Sequence, residues 1–373
     1  MEFYSSKTKE VLNIPKKERK KNGLFPTPKK TVDFVLSKLN IKKDDFVLEP
    51  SFGTGEFLIP IKKKSDNVYG VELLDYVYED FGNCFNEDFL TWGTDLKFDF
   101  IIGNPPFFET TKYRELFPEV CYGRTNIYSF FIKKSIDLLK ENGKIVFITP
   151  KTINTGKYFY KLRNYIAEHT DIVEMSDIED FDNVSQDLQV LILEKKKNSG
   201  NFIVKKQNSV IFSNDFIYLN DLISNYKTIK DLGFEVKTGS FIWNENRELL
   251  SYNPNNTLLV WNGNIKRFKL VPVPRKKQRV RLNSIHKAGI VSNRVFSKEL
   301  NFCLVEEPFL AENHVNVIIN RENEISYKQL IEIIEKSGVC NYAKFFSDST
   351  QISKNELEEM PLWGVTKEIG LIK

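Results

Sequence analysis

A chain of 373 residues, 41% hydrophobic and 28% charged, is long enough for about two domains with sizeable cores. No apolar run approaches the ~18 residues that span a bilayer, and the N-terminus lacks the hydrophobic centre of a signal peptide, so the chain reads as soluble and intracellular (cytoplasmic) with no membrane partner. Four scattered cysteines and three histidines outside any ligand spacing argue against disulfides and a bound metal, while a net charge of +4 leaves any polyanion partner to local clustering.

Residues 1–22 read as a basic tail, in which Lys16, Lys17, Arg19, Lys20 and Lys21 form a solvated face or an arm on phosphate. Apolar residues at Val32, Val35, Leu36 and Leu39 then have helical spacing, with Thr27 as a natural N-cap and Pro28 at the first helical position. Phe46 to Leu48 is a short buried strand. It runs into Glu49-Pro50-Ser51-Phe52-Gly53-Thr54-Gly55, a glycine-bearing turn that lets backbone approach a ligand closely. The turn lacks the third glycine of a dinucleotide fingerprint and the Gly-Lys-Ser/Thr of a phosphate loop. An acid at Glu49 would repel pyrophosphate and suits an ammonium or sulfonium group. The next strand, Asn67 to Val71, ends in Glu72, the interval at which an acid commonly holds ribose hydroxyls. Asp88, followed by Phe89, is placed to accept from an amino group while the ring covers a heterocycle.

The strand Asp99 to Gly103 meets Asn104-Pro105-Pro106-Phe107, where two prolines forbid its continuation. In an open parallel sheet this turn lies at the mouth of a site. The Asn104 amide oxygen and the Pro105 carbonyl are two acceptors, and Phe107 offers a flat apolar face. Together they suit a planar heterocycle that bears an exocyclic amine. Beyond it, Ile127 to Leu139 reads as a helix capped by Thr125 or Asn126 and ended by Gly143. Lys144 to Thr149 is a strand, Tyr158 to Glu168 a helix, and Asp171 to Met175 and Asp187 to Leu193 are strands. Phe147 is placed near the bound ligand, although a core role is the default for such a residue. The alternation predicts a doubly wound α/β sheet. It is lost after residue 200, where Asn201 to Phe212 reads as a hairpin. Between Lys266 and Lys298 there are eleven Lys or Arg residues and no Asp or Glu, with Trp261 and several asparagines just before, a pattern that fits a nucleic-acid surface.

Taken in order, Phe25 to Pro28, Glu49 to Leu58, Glu72, Asp88, Asn104 to Phe107 and Phe181 resemble the adenine-specific DNA methyltransferases of the gamma arrangement, the TaqI-like type II modification methylases. The resemblance implies a Rossmann-like, S-adenosylmethionine-dependent methyltransferase domain at 23–225 and a DNA target-recognition domain at 226–373. It implies methyl transfer to the exocyclic amine of a flipped adenine in duplex DNA, with Asn104, Pro105, Pro106 and Phe107 as the catalytic tetrapeptide. Phe181 sandwiches the base against Phe107. Thr27, Glu49, Ser51, Phe52, Gly53, Glu72, Leu73, Asp88, Phe89, Pro106 and Phe147 form the cofactor pocket. The C-terminal half resembles recognition domains that carry Val236-Lys237-Thr238-Gly239. It assigns DNA contacts to Trp243, Asn244, Lys266, Arg267, Arg275, Lys276, Lys277, Arg279 and Arg281. A monomer acting on double-stranded DNA, beside a cognate restriction endonuclease, is implied. The alternatives are a methyltransferase of RNA adenine or guanine and a non-enzymatic DNA-binding protein with a degenerate cofactor pocket.

Overall fold

The computed structural model describes residues 2–79, 81–178, 187–205, 210–296, 299–321, 324–343, 346 and 351–366, with the side chains of 20 and 21 left aside. The chain divides into two compact units, Met1–Phe216 and Ile217–Lys373.

The first unit is built on seven strands: β1 (Phe46–Glu49), β2 (Asn67–Val71), β3 (Cys84–Phe85), β4 (Phe98–Gly103), β5 (Leu139–Pro150), β6 (Asp171–Asp177) and β7 (Leu188–Glu194). They lie in the order β3-β2-β1-β4-β5-β7-β6, with β7 antiparallel to both its neighbours and the other pairs parallel. The strand order reverses between β1 and β4. The predicted doubly wound sheet is present.

Its central strands are apolar on both faces because both are covered. Ile101, Ile145, Phe147, Leu191 and Leu193 enter one core, with Phe130 and Ile132 of helix Tyr128–Leu138 and Leu162 and Ile166 of helix Tyr160–His169. Their alternates Ile102, Val146, Ile148, Val190 and Ile192 enter the other, with Val32, Val35 and Leu36 of helix Lys29–Ser37. Phe147 is fully buried in the first of these cores and does not line the ligand cleft described below, so the default reading of this residue holds. The helix expected to end at Gly143 stops at Leu138, and β5 begins at Leu139 and runs through Gly143. A Cβ on Gly143 would lie 2.8 Å from the Phe98 carbonyl, so the glycine serves strand packing rather than helix termination.

The basic segment before residue 23 is not a free tail. It forms helices Thr8–Leu12 and Lys16–Lys21, and Val11 packs with Leu24 and Val77 in a small core. Glu56, buried behind the glycine turn, accepts from the Tyr4 and Ser5 amides and from the Thr8 hydroxyl, and Thr8 also meets Thr54 at 2.7 Å. Residues 2–28 are thus a strap across the catalytic unit. Pro28 rather than Thr27 occupies the N-cap of helix Lys29–Ser37, which makes no side-chain cap.

The second unit holds two four-stranded sheets. One is antiparallel, in the order Phe234–Thr238, Val315–Asn320, Gly289–Asn293, Phe302–Val305. The other has the order Leu250–Ser251, Arg279–Val280, Thr257–Val260, Phe309–Ala311. Gly239 ends the Val-Lys-Thr-Gly segment where a Cβ would lie 2.2 Å from the Glu312 carbonyl oxygen, so a side chain there is excluded.

Glu56→Ala should release the strap, since it strips two backbone donors and one hydroxyl of their buried acceptor, and each orphaned group costs about 1–3 kcal/mol. Thermal melting should fall by several degrees, and limited proteolysis should cut within residues 1–22 while the sheet stays protected. A parental melting curve and digestion pattern would show that the strap is held elsewhere.

Candidate active site

The reversal of strand order makes a crevice at the carboxyl ends of β1 and β4, the place where open α/β sheets take ligands. Here it is a cleft lined by Glu49, Ser51, Phe52, Gly53, Glu72, Leu73, Asp88, Phe89, Asn104 and Pro106, together with Thr27 of the strap. Of the eleven residues expected to hold the cofactor, ten line it. Gly53 and Gly55 adopt left-handed backbone (φ +55° and +88°), which turns the chain tightly after β1.

The cleft is acidic: Glu49, Glu56 and Glu72 are buried and Asp88 is half-buried. Glu49, 2% exposed, has its carboxyl pushed well above the usual range, first by loss of solvent and then by the charges of Glu72 and Glu56. Among the described residues its Oε2 has no hydrogen-bond partner, and neither does Ser51 Oγ. Unpartnered buried acceptors of this kind fit a cationic ligand group that donates N–H bonds. Glu72 is also raised by burial, although its oxygens accept from the Gly53 and Leu74 amides, both at 2.8 Å. One lone pair on each oxygen remains for a hydroxyl. Asp88 accepts from Tyr113 Oη at 2.6 Å, from Lys112 Nζ at 3.1 Å and from the Leu90 amide. Phe89 packs at 5.1 Å from Phe131.

At the turn after β4, Asn104 donates from Nδ2 to Thr27 Oγ1 at 3.2 Å and to the Phe25 carbonyl at 3.4 Å. A carbonyl only accepts, so the nitrogen must face it and Oδ1 faces the other way. That Oδ1 is buried and has no partner among the described residues. Phe107 stands edge-on to Tyr128 at 5.8 Å and does not line the cleft, whereas Pro106 and Phe108 on either side of it do. Phe181, expected opposite Phe107, lies outside the described residues.

Phe25 and Glu56, which lie inside segments named from the sequence but were given no contact of their own, also border the cleft, as do Phe108 and Tyr113. A signal for Glu56 existed, an acid beside the second turn glycine and ahead of an apolar helix. Nothing local marks Tyr113, which reaches Asp88 across 25 residues.

Residues 29–184 match the Eco57I restriction-modification methylase family. Over 98% of its length the chain is 27% identical to type II methyltransferase M.CvrRI of Paramecium bursaria Chlorella virus XZ-6E, and the alignment spans all of that protein. The chain is thus similar over its whole length to a type II modification methyltransferase. The modification methylase CviBIII of Paramecium bursaria Chlorella virus NC1A is 30% identical across 62% of each chain. Among solved structures, the DrdV–DNA complex determined by cryo-EM resembles 90% of this chain and 54% of its own, with a TM-score of 0.51 at 12% identity, a likeness of fold. A type II modification methylase is an S-adenosylmethionine-dependent DNA methyltransferase, and the unpartnered buried acceptors of the cleft fit that cofactor.

In the second unit of this methylase the expected DNA contacts differ in their surroundings. Trp243 and Asn244 are exposed, and Arg247 lies 5.1 Å above the Trp243 ring. Trp261 is buried and donates to the Lys277 carbonyl, and Lys276 covers its ring at 4.1 Å. Asn264 is buried too, accepting from the Trp261 amide and donating to the Val271 carbonyl, so this asparagine shapes the loop rather than the surface. Arg279 is ion-paired with Glu307 at 3.1 Å, and Lys277 reaches the Leu250 carbonyl. Lys266, Arg267, Arg275 and Arg281 are exposed and form no ion pair among the described residues.

If these four cations bind phosphate, replacing Lys266, Arg275 and Arg281 with Gln should flatten the plot of log K for DNA against log salt by up to ~0.9 for each phosphate no longer neutralised. The same treatment of Arg279 should change the slope less, because Glu307 already neutralises it. An unaltered slope in the triple variant would make the run a solvated face.

Proposed function

We propose that the protein transfers the methyl group of S-adenosylmethionine to the exocyclic amine of an adenine in a specific duplex DNA site, as a monomer and as the modification partner of a restriction endonuclease. The observation that carries this reading is the Asn104 amide, whose Oδ1 is buried and unpartnered at the mouth of an acidic cleft. A second acceptor sits beside it. The Pro105 carbonyl takes no backbone hydrogen bond among the described residues.

Two acceptors on one amine draw its hydrogens out of the ring plane, so that the nitrogen lone pair leaves conjugation with the ring and becomes available as a nucleophile. When bound, S-adenosylmethionine supplies an electrophilic methyl group. The protein contributes positioning and oriented dipoles. Glu49 and Ser51 receive the amino-acid end of the cofactor, Glu72 its ribose, and Asp88 with Phe89 its adenine. Within a duplex the amine is paired and stacked, so the base must be extruded before Asn104 can reach it. Phe107, free of the cofactor cleft, is the stacking face. Phe181 is proposed as the second, on the resemblance alone.

Asn104→Ala should lower turnover by ~100-fold or more, the scale of losing an oriented polar group, and leave cofactor affinity near parental. Tritiated methyl transfer to duplex DNA and to total RNA, followed by mapping of the modified base, tests substrate and variant together. Label in RNA alone, or on cytosine, would replace this reading.

Cofactor affinity should also depend on pH in a stated direction. Protonation of Glu49 removes the charge that attracts a cation, so affinity is full above its raised pKa and falls as pH is lowered through it. Glu49→Gln should bind weakly at every pH and flatten the acid limb in calorimetry. A parental acid limb in that variant would assign the titration to another group.

A further inference from the structure

Asparagine presents either an acceptor or a donor, depending on a half-turn of its terminal amide. At a site that must receive an amine, the wrong half-turn sets one NH2 group against another. The difference between a working site and a repulsive one therefore lies in what holds Asn104 Nδ2. Both its partners belong to the strap, 77 and 79 residues away in sequence: Thr27 Oγ1 and the Phe25 carbonyl.

We infer that Thr27 is a positioning residue for methyl transfer: with the Phe25 carbonyl it holds the Asn104 amide in the orientation that presents Oδ1 to the target amine. The inference rests on the function proposed above and assigns to the hydroxyl of Thr27 a duty separate from closing the cofactor pocket.

The surroundings make Thr27 suited to this. It is 3% exposed, so its hydroxyl is withheld from solvent and left to Asn104. Its backbone leads directly into Pro28, whose ring fixes φ at −58° at the start of helix Lys29–Ser37. On the other side, Gly23 approaches the catalytic turn so closely that a Cβ would lie 2.5 Å from Pro106 Cβ, and its φ of +67° suits glycine. The strap therefore meets the Asn-Pro-Pro-Phe turn at Pro106 and at Asn104. Turning the amide over would set Oδ1 against the Phe25 carbonyl, oxygen against oxygen, and forfeit that hydrogen bond, whereas the Thr27 hydroxyl, which donates as well as accepts, can bond the amide in either orientation. The Phe25 carbonyl therefore sets the orientation and the Thr27 hydroxyl tethers the amide against it, so loss of the hydroxyl loosens the amide without reversing its preference.

The test compares Thr27→Val, which keeps the shape and removes the hydroxyl, with Thr27→Ser, which keeps it. Thr27→Ala is a second hydroxyl-free variant in case the valine does not fold, with melting temperature as control. Single-turnover methyl transfer at saturating S-adenosylmethionine should fall ~10-fold in Thr27→Val, the scale of one hydrogen bond expressed in the barrier, and return to within ~3-fold in Thr27→Ser. Calorimetric affinity for S-adenosylmethionine should change less than the rate. In an Asn104→Ala background, Thr27→Val should cause no further loss, because the amide it orients is gone. A parental single-turnover rate in both hydroxyl-free variants would overturn the inference. So would a loss that appears only as weaker cofactor binding, or one that multiplies with that of Asn104→Ala. Asn104→Ala at parental rate would overturn the proposed function as well, whereas a disabled Asn104→Ala beside a parental Thr27→Val overturns only the inference.

Discussion

The parallel pairing of β1 with β4 is the constraint from which the site follows. Val47 lies opposite Phe100 and Leu48 opposite Ile101, so the two strands end side by side and deliver Glu49 and Asn104 to one crevice. A Cβ on Gly103 would stand only 3.6 Å from Glu49 Cγ, which shows how closely the two strand ends run. Because the strand order reverses at this pair, the connection after β1 leaves toward β2, and the chain that follows β4 leaves toward β5. The crevice opens between them. Glu72 is brought to it by β2, Asp88 and Phe89 by the turn after β3, and Thr27 by the strap.

Three carboxylates crowded into an apolar crevice are costly in isolation, and the chain arranges a separate compensation for each. Glu56 is satisfied by the strap, Glu72 by two backbone amides, and Glu49 keeps an oxygen without a partner. The first two serve the architecture of the glycine turn. Only the third has an oxygen with no partner among the described residues, and the same division recurs at Asn104, whose nitrogen is used by the protein and whose oxygen is not.

The sheet was legible in the sequence because its information is local. Apolar runs of four to six residues ended by an acid, a glycine or a proline mark β1, β2 and β4 and the side chains at their ends. What the sequence concealed depends on partners far away in the chain. Thr27 has the composition of a helix cap, and nothing nearby reveals that its hydroxyl faces Asn104. The charge of residues 16 to 21 suggests a solvated tail, because the contacts that order the segment are made by its uncharged neighbours Tyr4, Ser5 and Thr8. In the second unit Trp261 and Asn264 carry the residue types of a nucleic-acid surface but are buried in the loop that displays the lysines. Gly143, which reads as a helix stop, sits where a strand passes the Phe98 carbonyl.

The strap has a consequence for the order in which the molecule assembles. Its bonds to Glu56 close loops of 48 to 52 residues, and its bonds to Asn104 close loops of 77 and 79, whereas β1 and β2 meet across a single short helix. Loop-closure entropy favours the sheet forming first, with the strap docking onto turns that already exist. The strap, synthesised ahead of the sheet, is thus among the last segments to find its place in the first unit, and a sheet newly folded during synthesis has its acids and its Asn-Pro-Pro-Phe turn in position before the Asn104 amide has been given a direction.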